Sequence, residues 1–149
     1  MGDKTKFREM LVEDLDCVML IEKQNFSTPW HKEHFEYEIS ENPFGKMFVL
    51  VDGDTIIGYF GIWITFEECQ ITTITVENSY KGKGYGNKMM EKIIHEAKEA
   101  LCERISLEVR ESNQIARHLY EKYDFIEISR RPRYYTNPLE DAIVMMKGI

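Results

Sequence analysis

A strand–loop–helix unit near the middle of the chain constrains the fold most strongly. The β-branched run Ile71-Thr72-Thr73-Ile74-Thr75-Val76 predicts a strand, and the stretch Lys81-Gly82-Lys83-Gly84-Tyr85-Gly86 follows it. Beyond the loop, Met89, Ile93 and Ala97 recur at four-residue spacing and predict the core-facing side of a helix. Alternate glycines let backbone N–H groups approach a ligand, and a helix N-terminus beside two lysines attracts negative charge. The unit therefore predicts a phosphate-binding loop.

Two familiar phosphate-binding loops do not fit this spacing. The dinucleotide fingerprint G-x-G-x-x-G would need a glycine where Asn87 stands. The P-loop G-x-x-x-x-G-K-[ST] would need Gly-Lys-[ST] where the chain has Asn87-Lys88-Met89. Both nucleotide-binding loops are therefore excluded.

The rest of the pattern predicts an α/β fold with a mixed, mostly antiparallel sheet flanked by helices, in one domain spanning residues 1–149. Asp52-Gly53-Asp54 predicts a hairpin, and a change of parity between Ile71 and the pair Ile74 and Val76 predicts a β-bulge. We expect a helical start at residues 12–24, a helix at 27–40, and a later helix capped by Ser112 or Asn113. We expect the strands at residues 48–51, 55–66, 69–76, 104–110, 126–130 and 142–146.

Composition excludes several classes of function. A net charge of −7 argues against general binding to nucleic acid or to a membrane surface. No stretch approaches the ~18 apolar residues of a membrane span, and the N-terminus has no apolar signal-peptide core. The three cysteines are odd in number and widely spaced, so we expect reduced thiols in a cytoplasmic protein. The histidines form no ligand spacing with the cysteines, so no metal is expected.

With these residues in view, the sequence resembles the GNAT family of N-acetyltransferases. That family has a [QR]-x-x-G-x-[GA] loop, between a bulged strand and a helix, which holds the pyrophosphate of acetyl-CoA. Here Lys81 replaces the Gln or Arg, keeping a charge and a donor but losing the planar fork. The resemblance implies that acetyl-CoA is bound by Lys81, Gly82, Lys83, Gly84, Tyr85 and Gly86.

Five separated blocks resemble the RimI branch of this family, bacterial enzymes that acetylate the N-terminal alanine of a ribosomal protein. The blocks cover nearly the whole chain, and one departure is Asp124, where the family usually has glycine. The blocks are Phe26-Ser27-Thr28-Pro29-Trp30, Leu107-Glu108-Val109-Arg110-Glu111-Ser112-Asn113, Leu119-Tyr120-Glu121 with Phe125, Arg131 with Tyr134-Tyr135, and Glu140-Asp141-Ala142-Ile143.

Glu108 is the candidate general base. Without the resemblance, Glu108 would be interpreted as a solvated carboxylate on the polar face of a strand. The resemblance implies that Glu108 takes a proton from the acceptor amine, directly or through a water. An N-terminal α-amine is the easier acceptor, because its pKa lies near 8 against about 10.4 for lysine. Freeing the neutral α-amine costs about 3.5 kcal/mol less.

Tyr120 and Asn113 lie seven residues apart, two turns along one helix face. Alone, Tyr120 reads as a core aromatic residue. The resemblance implies that Tyr120 protonates the departing thiolate and that Asn113 contacts the cofactor. A phenol is a weaker acid than a thiol, so we expect Tyr120 to assist this step more than to enable it.

The resemblance also implies that main-chain groups of Ile74, Thr75 and Val76 bind the pantetheine arm of acetyl-CoA. The Val76 N–H would polarise the thioester carbonyl. Trp30, Tyr134 and Tyr135 are candidates both for a peptide groove and for ordinary packing.

The favoured interpretation is direct transfer of acetyl from acetyl-CoA to the N-terminal alanine of a small-subunit ribosomal protein. Three alternatives stay open: another protein N-terminus, a lysine or a small amine as acceptor; a catalytically silent acyl-CoA-binding module; and an interaction protein.

Overall fold

A seven-stranded sheet in the order β1-β2-β3-β4-β5-β7-β6 dominates the computed structural model, which describes residues 4–149. All neighbouring strands pair antiparallel except β4 and β5, so the mixed, mostly antiparallel sheet is confirmed. The strands are β1 Thr5–Glu9, β2 Gly45–Asp52, β3 Thr55–Thr65, β4 Glu68–Val76, β5 Arg104–Arg110, β6 Ile126–Tyr135 and β7 Glu140–Gly148. The helices are α1 Leu15–Asn25, α2 Lys32–Ser40, α3 Tyr85–Glu99 and α4 Gln114–Lys122.

The helix predicted at residues 12–24 is confirmed as α1, but the prediction that it is the first element is wrong, because strand β1 precedes it. β1 is a sheet edge that pairs antiparallel with β2, from Thr5 opposite Asp52 to Glu9 opposite Phe48. An edge strand is held mainly by main-chain hydrogen bonds and needs little apolar pattern, which explains why β1 gives so weak a sequence signal.

Helices cover both faces of the sheet. Successive residues of β2 alternate between two core clusters, so the clusters lie on opposite faces. The first cluster includes the α3 residues Met89, Met90, Ile93 and Ala97. The second includes Leu15, Val18 and Ile21 of α1 and Phe35 of α2. The predicted core face of α3 is therefore confirmed.

The parallel pair β4–β5 is short, and this opens the sheet. The only residues that pair between these two strands are Glu68–Gln70 of β4 with Arg104–Ser106 of β5. On the other side of β4, Gly61 pairs with Thr73 and Ile62 with Ile71, which leaves Thr72 as an extra residue. The predicted bulge is confirmed, and it lies where β4 leaves β5.

Within residues 4–149, no helix is long and apolar enough to cross a membrane. The same residues contain no group of three or more His, Cys, Asp or Glu side chains placed to hold a metal ion.

Candidate active site

A cleft of about 700 Å³ lies where β4 and β5 part. It combines residues predicted for cofactor and catalysis, Ile74, Glu108, Asn113 and Tyr120, with those predicted for the peptide groove, Trp30, Tyr134 and Tyr135. Its remaining lining residues are Glu22, Asn25, Phe26, Ser27, Thr28, Ile71, Thr72, Thr73, Leu107, Val109, Arg110, Ala116, Thr136, Asn137 and Pro138.

Glu108 faces the cleft from the half of β5 that has left β4. Its side chain is only 16% exposed, which does not fit an ordinary solvated strand carboxylate. The Nε atom of Arg131, on β6, lies 3.2 Å from its Oε2 atom and forms an ion pair with it. A shielded carboxylate that faces a cleft is suitably placed to accept a proton.

Tyr120 belongs to the core and to the cleft at once. The residue is 5% exposed, its ring lies 6.0 Å from that of Phe125, and it also lines the cleft. Burial raises the pKa of its hydroxyl well above the usual value, so Tyr120 holds its proton firmly. This makes Tyr120 a weak acid, in line with an assisting part in proton donation.

Asn113 is the N-cap of α4. Its Oδ1 atom accepts the main-chain N–H of Ala116 at 3.2 Å, which confirms the predicted helix start. The other end of α4 leads to Asp124, whose φ of 69° is the left-handed conformation that the usual glycine would adopt there. The residues at both ends of α4, the helix that carries Tyr120, are therefore of types that favour the start or the end of a helix.

The glycine loop lies at the N-terminus of α3, outside the cleft lining. Gly82 and Gly84 have φ angles of 76° and 89°, and Gly84 is the N-cap of the helix. A Cβ atom at Gly86 would lie 3.1 Å from the Leu119 side chain, so this glycine lets α3 and α4 pack closely. The first N–H groups of α3 have no partner inside the helix and are available to an anion.

The remaining residues predicted to bind the cofactor, Ile74, Thr75 and Val76, lie at the end of β4. The N–H of Glu77 donates to the Ile57 carbonyl of β3 at 2.9 Å. Since main-chain groups alternate in direction along a strand, those of Val76 and Ile74 point away from β3, towards the gap where β5 has departed. Ile74 lines the cleft, whereas Thr75 and Val76 do not.

Lys81, the irregular loop position, has a partner within the protein. Its Nζ atom donates to Oδ1 of Asn25, the last residue of α1, and Asn25 lines the cleft. Lys81 therefore links the glycine loop to the end of α1 beside the cleft.

Glu22 is a cleft residue that the sequence analysis missed. It lies on α1, is only 2% exposed, and accepts hydrogen bonds from the Tyr59 hydroxyl and, at 2.9 Å, from the Trp30 N–H. Burial raises the pKa of the carboxyl, while those two hydrogen bonds lower it. Its only sequence signal was a charged residue on the apolar side of a helix.

The Glu22 contact also explains a wrong helix boundary. The sequence placed the start of the second helix near residue 27, but α2 begins at Lys32. The bond from Trp30 to Glu22 holds the α1–α2 loop (residues 26–31) along the cleft, where the Trp30 ring stacks on His34 at 3.8 Å. A tertiary contact thus overrides the local helix signal.

A family model described as Acetyltransferase (GNAT) family matches residues 15–125, a segment that contains the glycine loop, Glu108, Asn113 and Tyr120. The chain belongs to the GNAT acetyltransferase family.

Among curated relatives, a Bacillus subtilis protein named as a candidate ribosomal protein bS18-alanine N-acetyltransferase is 38% identical over 97% of this chain and 96% of its own length. A Haemophilus influenzae protein named ribosomal protein bS18-alanine N-acetyltransferase is 33% identical over 89% of this chain and 90% of its own.

Among solved structures, the ribosomal-protein-S18-alanine N-acetyltransferase from Escherichia coli matches with a TM-score of 0.89 and 27% identity. The match covers 97% of this chain and 94% of that one. The resemblance to the RimI branch, the GNAT fold and acetyl-CoA-dependent N-acetyl transfer are thereby confirmed.

Proposed function

We propose that this protein, acting as one domain over residues 1–149, transfers acetyl from acetyl-CoA to the N-terminal alanine of the ribosomal protein bS18. The observation that carries the proposal is the cleft, where Glu108, Asn113 and Tyr120 meet the aromatic residues Trp30 and Tyr135. The names of the bacterial relatives support this choice of acceptor.

The residues fit acetyl-CoA on three structural grounds. The outward main-chain groups of Ile74 and Val76 suit an extended chain such as pantetheine, as an added strand would. Positive φ angles at Gly82 and Gly84 place a glycine turn at the N-terminus of α3. Lys83 adds a cation, and Asn113 lines the adjoining cleft.

When bound, acetyl-CoA supplies an activated acetyl thioester. Glu108 then accepts a proton from the acceptor amine, directly or through a water, so that the neutral amine is the nucleophile. Tyr120 donates its hydroxyl proton to the leaving sulfur. The Val76 N–H, which points away from β3, is assigned to the thioester carbonyl.

Acid–base chemistry favours an N-terminal α-amine over a lysine amine as the acceptor. A carboxylate is a weak base compared with either amine, and a neutral α-amine costs about 3.5 kcal/mol less to form than a neutral lysine amine. A silent acyl-CoA-binding module would not need Glu108 and Tyr120 in the same cleft.

We place the reaction in the cytoplasm, with a protein N-terminus as partner and with no part for nucleic acid, a membrane or a metal. Cys17, Cys69 and Cys102 are free thiols in the structure, which suits a reducing compartment.

A panel of acceptors tests the proposal. Release of CoA is measured with acetyl-CoA and four acceptors: a bS18 N-terminal peptide, the same peptide with a blocked N-terminus, a lysine peptide with a blocked N-terminus, and spermidine. We expect turnover only with the free N-terminal peptide. Turnover with lysine or spermidine would contradict the proposed acceptor, and binding of acetyl-CoA without any turnover would contradict the proposed catalysis.

A further inference from the structure

Arg110 binds the loop that closes one side of the cleft. It is the last residue of β5, and its Nη1 and Nη2 atoms donate to the carbonyls of Pro138, at 2.9 Å, and Thr136, at 2.8 Å. Both carbonyls belong to the β6–β7 loop (residues 136–139). The guanidinium carbon also lies 4.5 Å from the centre of the Tyr135 ring. One planar side chain therefore binds two points of the loop and the residue before it.

Glu140, at the other end of this loop, extends the contacts to α4. Its Oε2 atom lies 3.4 Å from Nη1 of Arg110, and its Oε1 atom accepts the Ser112 N–H at 2.6 Å. Bonds from Ser112 and then Arg110 hold the pKa of the Glu140 carboxyl below its usual value. Ser112 directly precedes Asn113, the N-cap of the helix that carries Tyr120.

The loop held in this way lines the cleft. Thr136 and Pro138, whose carbonyls Arg110 binds, both contribute to the lining, as do Tyr134 and Tyr135 just before them. Among the described residues, no hydrogen bond, ion pair or ring contact joins these four residues to the glycine loop or to Ile74 and Val76. Arg110 thus acts on the acceptor side of the cleft, through residues that it holds in place.

We propose that Arg110 is a positioning residue for the acceptor. Its two hydrogen bonds fix the β6–β7 loop, and the contact with Glu140 sets that loop relative to α4 and Tyr120. The inference rests on the proposed function to the extent that the acceptor amine enters this cleft. Lysine cannot replace Arg110 fully, because a single ammonium does not match two carbonyls as the planar guanidinium does.

Arg110→Met and Arg110→Lys test this, with Arg104→Met as the matched control. Arg104 lies at the opposite end of the same strand, where its Nε atom is 2.9 Å from Glu68, and it does not line the cleft. We expect Arg110→Met to raise the KM for the acceptor peptide about tenfold, the usual effect of losing charge-assisted hydrogen bonds. Arg110→Lys is expected to fall between wild type and Arg110→Met.

The KM for acetyl-CoA separates positioning from general damage. We expect the KM for acetyl-CoA to stay within about twofold of the wild-type value in both Arg110 variants, because Arg110 acts on the acceptor side of the cleft. A tenfold rise would mean the loss of about 1.4 kcal/mol of binding free energy. Amide hydrogen exchange at Ser112, whose N–H donates to Glu140, should speed up in Arg110→Met while β1 and β2 keep their protection. Arg104→Met should leave both KM values and this exchange unchanged.

Equal rises in both KM values would overturn the inference, as would an acceptor KM no higher than that of Arg104→Met. The comparison uses whichever acceptor the wild type turns over fastest. A preference for lysine would therefore contradict the proposed acceptor without deciding the part played by Arg110. If Arg110→Met does not fold, the acceptor KM of Arg110→Lys and the amide exchange of Ser112 in that variant decide it.

Discussion

The two sides of the cleft are built in different ways. The proposed donor side consists of β4, which lines the cleft, and of the glycine loop and α3, which follow β4 in the chain and lie outside the cleft lining. It offers mainly main-chain groups. The acceptor side consists of the α1–α2 loop and the β6–β7 loop, which lie about a hundred residues apart in the chain. Side-chain contacts of Glu22 and Arg110 hold these two loops in place.

Under the proposed function, this difference separates a cofactor site from a site that selects the acceptor. Main-chain groups presented by a strand and a helix N-terminus depend on the fold, and most side-chain changes leave them in place. Loops held by single buried or planar side chains change when those residues change. We therefore expect substitutions on the donor side to affect acetyl-CoA, and those on the acceptor side to affect the amine.

Glu108→Gln should have the largest effect, because Glu108 lies between the two sides and is the proposed base. The amide keeps the shape but cannot accept the proton, so we expect kcat/KM to fall by about 10²–10⁴-fold. Acetyl-CoA binding, measured by calorimetry, should stay near the wild-type value. Loss of acetyl-CoA binding in this variant would place Glu108 in the donor site instead.

Gly84→Ala should act on the donor side alone. At a φ of 89°, alanine is disfavoured by about 1–2 kcal/mol, so we expect the loop to relax away from the conformation that presents its N–H groups to the cofactor. The KM for acetyl-CoA should then rise by up to about 5–30-fold, with little change in the acceptor KM. Gly53→Ala is the matched control, since Gly53 has a φ of 61° and lies in the β2–β3 hairpin. It should lower stability without changing either KM; an equal rise in the KM for acetyl-CoA would contradict the part given to Gly84.

Tyr120→Phe should have a smaller effect. The raised pKa of the buried hydroxyl makes it a weak acid, and a thiol of pKa near 8.5 is already a fair leaving group, so we expect kcat to fall about tenfold or less. The pH dependence of kcat is the second measurement. A fall as large as that of Glu108→Gln would show that protonation of the leaving group limits the rate.

Glu22→Gln should have the smallest effect and should show mainly in stability. The raised pKa means that folded wild type keeps a proton that the unfolded chain loses near pH 4.3, so its stability falls as pH rises between those two pKa values. Glutamine does not titrate. In urea unfolding, the free energy of unfolding of the variant should therefore rise relative to that of wild type as the pH rises. The total change is about 1.4 kcal/mol for each unit by which the pKa of Glu22 in the folded protein exceeds that in the unfolded chain. A difference independent of pH would contradict the effect assigned to burial.

The contrast between main-chain groups on one side and side-chain contacts on the other also explains which features could be predicted from the sequence. Local spacing and turn chemistry predict most elements, the bulge at Thr72, the cap at Asn113 and a phosphate-binding loop at residues 81–86. The assignment of that loop and of β4 to acetyl-CoA came from the family resemblance. Strand β1 was missed because main-chain pairing at a sheet edge leaves little pattern. Glu22 and Arg110 were missed because their partners lie 8 to 37 and 26 to 30 residues away, and only the folded chain brings them together.

The most direct measurement of the central claim is the position of the acetyl group on one peptide that has both kinds of amine. A peptide with an N-terminal alanine and an internal lysine is incubated with acetyl-CoA and the enzyme, and tandem mass spectrometry locates the modification. We predict acetyl on the alanine α-amine alone, at a rate that falls with Glu108→Gln. Acetyl on the lysine ε-amine, or equal rates for wild type and variant, would contradict the account.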